Sequence, residues 1–181
     1  MIFISAGHNP KGIKQDPGAI GNGFHEADLT VEFRNLVVAL LQGKKIPVTT
    51  DKDDERLGEY LKRIQTGSGS VVLEFHFDAA ASSSATGTTA LIGNDADRLD
   101  KAFAKELVEA NASILGIKNR GVLSESDSHR GSLGLMREQG TVALLEICFI
   151  SNADDLQKYQ KNKMTLASKI AEILERYEKL V

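Results

Sequence analysis

The chain has 181 residues, 26% charged and 41% hydrophobic, a globular balance that suits a single domain over residues 1–181 with a buried core. A formal net charge of −3 and the lack of any Lys/Arg block argue against a nucleic-acid footprint, and no apolar stretch is long enough to span a bilayer. With no Trp and three Tyr there is no platform of stacked aromatics, and a lone cysteine, Cys148, excludes an intrachain disulfide.

Residues 2–6 read as a buried strand. No basic and apolar leader precedes it, so the expectation is that no signal peptide is present. The glycine-rich stretch GHNPKGIKQDPGAIGNGFHE follows as a long loop, of the kind that tends to carry function. Ala27–Leu41 is helical, with Leu29, Phe33, Leu36, Val37, Leu40 and Leu41 on one face and Gly43 placed to stop it. Ile46–Thr50 is a second strand. A helix over about 55–66 turns Leu57, Tyr60, Leu61 and Ile64 inward. TGSGS then leads into a central strand at Val71–Phe77, and the small, polar AAASSSATG is expected to be a mobile loop. Thr88–Ile92 is a strand and Asp97–Leu115 a helix. Residues 116–132 look irregular, followed by a short strand near Leu133–Met136 and a strong one at Val142–Ile147. Ser151 or Asn152 caps a short helix, and Met164–Leu180 forms the closing helix. Strands alternating with helices imply an α/β fold, a mixed and mostly parallel sheet flanked by helices on both faces.

Three polar residues stand at or near the carboxyl ends of apolar runs: His8 after IFISAG, His76 in VVLEFHFD and Glu146 in VALLEI. In open α/β sheets those ends line the ligand crevice. Strand alternation puts Glu74, His76 and Asp78 on one face and Leu73, Phe75 and Phe77 on the other. Polar residues inside an apolar strand need partners, either a structural network or a ligand. For Glu146 the plain alternative is an ion pair with Arg120 or Arg137. Glu26, at the start of the first helix, either answers the helix N-terminus or joins the site, and spacing does not separate it from its neighbour His25. His129 reads as an exposed, substrate-facing residue, and Cys148 as a small buried hydrophobe. Two imidazoles and a carboxylate can hold zinc, with a second carboxylate as base, which suggests a metallohydrolase.

The blocks IFISAGHNP, DPGAIGNGFHEADLT, EFHFDAA and TVALLEICFISNADD occur in the order and spacing of one family. Over nearly its whole length the chain resembles the zinc-dependent N-acetylmuramoyl-L-alanine amidases of the amidase-3 family, which cut peptidoglycan. The resemblance implies His8, Glu26 and His76 as zinc ligands, favouring Glu26 over His25, and Glu146 as the catalytic glutamate. It implies a peptidoglycan or muropeptide substrate, with residues 79–86 and 119–132 lining the groove and Arg120 or Arg130 pairing with stem-peptide carboxylates. Two rivals share these features: a related zinc peptidase cutting a stem-peptide bond, and an inactive wall-binding domain. The chain departs from the family's usual Ser-x-His-x-Asn strand by carrying Glu74 and Asp78, and it has Asn9 where glycine is common. Its compactness suits a phage-type lysin or a stand-alone catalytic domain that reaches the wall by lysis or export.

Overall fold

The computed structural model describes residues 1–13, 15–128 and 131–181, so the expectations placed on His129 and Arg130 lie outside the described residues. In chain order the elements are β1 (Ile2–Ala6), β2 (Ile20–Gly21), β3 (Phe24–His25), α1 (Glu26–Gly43), β4 (Val48–Thr50), α2 (Leu57–Arg63), β5 (Val71–Asp78) and β6 (Thr88–Ile92). Then come α3 (Arg98–Leu115), β7 (Asn119–Ser124), a 3-10 turn at Gly134–Arg137, β8 (Thr141–Phe149) and α4 (Ala153–Glu178).

Six strands form one sheet in the order β4-β1-β5-β8-β6-β7, and β2 and β3 make a separate hairpin. Every pairing in the sheet is parallel except β6 with β8. The fold is therefore the expected single α/β domain, but its two faces are covered unequally. Alternate residues of β1, β5 and β8 (Ile2, Ile4, Leu73, Phe75, Phe77, Ala143, Leu145 and Ile147) pack under the three long helices. Phe33 of α1 meets Phe75 edge-on at 4.9 Å, and Tyr159 of α4 meets Phe77 at 5.0 Å. On the other face Phe3, Val72, Leu91, Val142 and Leu144 are covered more thinly, by Tyr60, Leu61 and Ile64, from α2 and its end, and by Leu133, Leu135 and Met136 at the 3-10 turn. That thin cover stops short of the carboxyl ends of β5 and β8, where the same face turns polar with Glu74, His76 and Glu146.

Several local expectations change. Residues 119–124, read as irregular, form the strand β7 at the edge of the sheet, where it pairs with β6. The segment near Leu133–Met136 is a 3-10 turn instead of a strand. Residues 153–178 form one helix where two were expected. Asn152 accepts from Asp154 N and Asp155 N at its start, no Gly or Pro interrupts it, and buried Tyr159 holds its polar first half to the core. α1 ends at Gly43 as expected, but the left-handed residue that follows is Lys45, at φ 61°. Leu57 does not face the core and is 38% exposed. The 79–87 loop, expected to be mobile, is tied down. Asp155 accepts from Thr86 Oγ1 (2.6 Å) and Gly87 N (2.9 Å), and Asn152 Nδ2 donates to Ala85 O at 3.1 Å.

A buried charge network fastens α1 to the strand ends. The Arg34 guanidinium lies 2.8 Å from Asp51 and 2.6 Å from Asp53, and Asp51 Oδ1 also accepts from Ala6 N at 3.1 Å. Lys11 reaches Asp53 at 3.0 Å, which extends the network to the loop after β1. Removing one partner of a buried pair leaves the other uncompensated. Arg34→Met is therefore expected to lower unfolding free energy by about 3–5 kcal/mol in denaturant titration; a loss well below ~1 kcal/mol would remove the network from the account of stability.

Candidate metal centre

The chain leaves β1 through Gly7, whose N–H donates to Phe75 O at 2.8 Å and whose carbonyl accepts from Thr30 Oγ1 of α1 at 2.7 Å. His8 follows at φ 67°, a left-handed conformation that few side chains adopt and that persists where surrounding contacts impose it. Those contacts include Asp16 Oδ2, 2.8 Å from His8 Nδ1, and the paired backbones of Asn9 and Asp16. Gly18, at φ 65°, packs so closely on the His8 ring and the Glu26 carboxylate that a Cβ there would overlap both.

Glu26 opens α1 and points inward while its neighbour His25 is exposed beside Asp28. Glu26 Oε1 lies 2.8 Å from His76 Nδ1 and accepts from Phe77 N at 3.1 Å. Its Oε2 lies 3.2 Å from His8 Nε2 and accepts from Ala19 N at 2.9 Å. The rings of His8 and His76 meet edge-on with centroids 5.1 Å apart. One donor atom each from His8, Glu26 and His76 lies within 4.8 Å of the others, the one such group of metal-capable side chains among the described residues. Each imidazole turns its second nitrogen to an outer carboxylate: Asp16 for His8, and Glu74 for His76 at 2.9 Å. That is the arrangement in which histidine ligands are held at metal centres.

The electrostatics follow from this crowding. Burial disfavours charge on His76, but its hydrogen bonds to Glu26 and Glu74 outweigh it and push the ring's pKa up to about 10. His8 is raised despite burial, through Glu26 and Asp16. Burial likewise opposes ionisation of Glu26 and Glu74, yet their contacts with the imidazoles hold both below the usual carboxylate range. The cluster thus keeps its carboxylates ionised around a place that favours positive charge.

Glu146 is the register partner of His76 on the neighbouring strand and is 3% exposed. Its carbonyl accepts from Thr88 Oγ1 at 2.7 Å, and Asn111 Nδ2 of α3 donates to Thr88 Oγ1 and to Ile147 O. It lines a cleft with Asp78, Thr89, Arg120, Asp127 and Ser128. Arg120 lies over the Phe149 ring at 5.2 Å and reaches Thr86 O at 3.4 Å, while Arg137 pairs with Glu125 at 3.0 Å. The ion pair considered for Glu146 is thus not made by Arg137, which is committed elsewhere. β8 carries an extra residue between Glu146 and Phe149, so the register shifts between His76 and Asp78, and Asp78, next after His76 on that face of β5, lines this cleft. On the far side of the cluster a second opening is lined by His8, Asn9, Asp16, Arg56, Leu57 and His76, which accounts for the exposure of Leu57.

Sequence reasoning had brought His8, Glu26, His76 and Glu146 to one region, and they do meet. It missed Asp16 as a partner of His8, because a loop makes that contact. It also missed Asn111, although a polar residue on the apolar face of α3, four residues after Leu107, was a legible signal.

The family profile described as N-acetylmuramoyl-L-alanine amidase matches residues 2–176. The chain is 27% identical over 164 residues to the N-acetylmuramoyl-L-alanine amidase LytC of Bacillus subtilis (strain 168), covering 88% of this chain but 31% of that protein, so it spans under a third of that relative. Among solved structures, the catalytic domain of the amidase CwlV from Bacillus (Paenibacillus) polymyxa var. colistinus superposes with a TM-score of 0.78 at 22% identity, covering 99% of this chain and 98% of that one. A Neisseria meningitidis protein, described as a proposed N-acetylmuramoyl-L-alanine amidase, superposes with a TM-score of 0.76 at 31% identity, covering 97% and 93%. With a profile match over almost its whole length and the same fold throughout, the chain belongs to the amidase-3 family of N-acetylmuramoyl-L-alanine amidases.

Proposed function

We propose that this chain is a zinc-dependent amidase that hydrolyses the bond between the lactyl group of N-acetylmuramic acid and L-alanine in peptidoglycan. The observation that carries the proposal is the convergence of His8 Nε2, His76 Nδ1 and the Glu26 carboxylate, with Glu146 directly across the sheet from His76. Two imidazoles and one carboxylate, each imidazole backed by an outer carboxylate, suit zinc with one position left open. Zinc so held would acidify a water molecule and polarise the scissile carbonyl.

The chain's own groups supply the rest. Glu146 takes a proton from the attacking water and returns it to the departing amine nitrogen of L-alanine. Because Glu146 faces the cleft lined by Arg120, the amine and its stem peptide leave on that side. The muramoyl side then lies in the opening walled by Arg56 and Leu57. Arg120, with Arg130 from outside the described residues, pairs with stem-peptide carboxylates. Gly7 belongs to the same machinery: a Cβ there would overlap the His76 ring, so only glycine lets β1 pass this close.

Glu146→Gln should keep zinc and lose wall hydrolysis by about 100- to 10,000-fold; turnover near the parent's would take the proton-carrying role from Glu146. His8→Ala and His76→Ala should each lose zinc by elemental analysis, and full occupancy in either would remove that residue from the ligand set. Mass spectrometry of digested walls should find intact stem peptides with a free L-alanine amine. Cuts inside the stem would instead make the chain a peptidase, and no cut at all, with no zinc, a wall-binding domain. Gly7→Ala should keep its circular-dichroism spectrum while binding less zinc, and unchanged zinc content would show that the His76 ring tolerates the intrusion.

A further inference from the structure

His76 has a buried carboxylate at each ring nitrogen. Nδ1 faces Glu26 Oε1 at 2.8 Å, and Nε2 faces Glu74 Oε1 at 2.9 Å. A neutral imidazole carries one N–H, so it can donate to only one of the two. With a cation between Nδ1 and Glu26, Nδ1 must offer its lone pair, and the proton must stand on Nε2, where Glu74 accepts it.

Glu74 is itself fixed. Its Oε2 accepts from Ser5 Oγ at 2.8 Å, and Ser5 is its register partner on the adjacent strand. Glu74, Ser5 and His76 are all buried and all on strands, where side chains are held more closely than on loops. His8 is held differently. Its outer carboxylate, Asp16, sits on a loop with a side chain 58% exposed.

We propose that Glu74 is a positioning residue of the metal centre, which through Nε2 fixes His76 as an Nδ1 ligand, raises its basicity and tightens the hold on the cation. The proposal rests on the metal-centre part of the function proposed above, and not on which bond is cut.

The test is zinc affinity of the full chain at one neutral pH, read by competition with a chromophoric chelator. Glu74→Gln keeps the shape and an accepting oxygen but loses the charge, and should loosen zinc about 10-fold. Glu74→Ser removes the contact and should loosen it about 100-fold. In the zinc-loaded parent, two-bond proton–nitrogen spectra should show His76 as a single Nε2–H tautomer with a slowly exchanging proton, and in Glu74→Ser that proton should exchange rapidly. A Glu74 that only supports the fold would shift the unfolding midpoint and leave zinc affinity and the tautomer signal where they were. Ser5→Ala leaves every charge in place and should also loosen zinc, so it serves if either Glu74 variant fails to fold. Affinity equal to the parent's in whichever variants fold overturns the proposal. A parent that binds no zinc fells the metal centre and this proposal together, whereas one that binds zinc but releases no stem peptide sinks the amidase reading alone.

Discussion

The structure turns on one buried carboxylate. Ionised and 2% exposed, Glu26 must have its acceptor sites filled by the protein or by a cation. Four groups surround it: His76 Nδ1 and Phe77 N at one oxygen, His8 Nε2 and Ala19 N at the other. They come from the central strand, from the turn after the first strand and from the loop before the hairpin. Misplacing any of these segments would strand a charge in the interior, at a cost comparable to a large share of the stability of a small domain. The long glycine-rich loop is therefore shaped around Glu26, with Gly18 passing where any side chain would collide.

The second condition is the unequal cover of the sheet. Three long helices bury one face completely, so hydrophobic packing is secured there. The other face can then leave its carboxyl ends uncovered and polar. β5 shows the division within one strand: Leu73, Phe75 and Phe77 are core, while Glu74 and His76 belong to the site. The Arg34 network does related work at the edge, tying α1 to the ends of β1 and β4 by charge where apolar contact runs out.

Much of this was legible in the sequence, for reasons that can be named. Strand alternation placed Glu74 and His76 on one face, and apolar runs ending at His8 and Glu146 marked the crevice. Helical spacing found the inward face of α1 at Leu29, Phe33, Val37 and Leu41. What stayed hidden was set by tertiary contact. The edge strand β7 is half-exposed, polar at its start and interrupted by Gly121 at φ 88°, so its pattern is weak, and only pairing with β6 makes it a strand. The polar first half of α4 hid its continuity until Tyr159 was seen in the core. The outer carboxylates Asp16 and Glu74 are ordinary acids in sequence, and only a loop's path and a ring's orientation give them partners.

The reversal of β6 has a consequence for how this enzyme can vary. Because β6 and β7 run against the other strands, the carboxyl end of β8 at Glu146 borders the amino ends of β6 and β7, at Thr89 and Arg120. The far wall, with Arg56 and Leu57, is built from the first half of the chain. Apart from Asp78 of β5, the two walls thus come from different stretches of sequence, with the shared centre between them. Substitutions far apart with no common partner combine additively. The two openings can therefore be retuned one at a time, as two nearly separate dials on a single fixed centre.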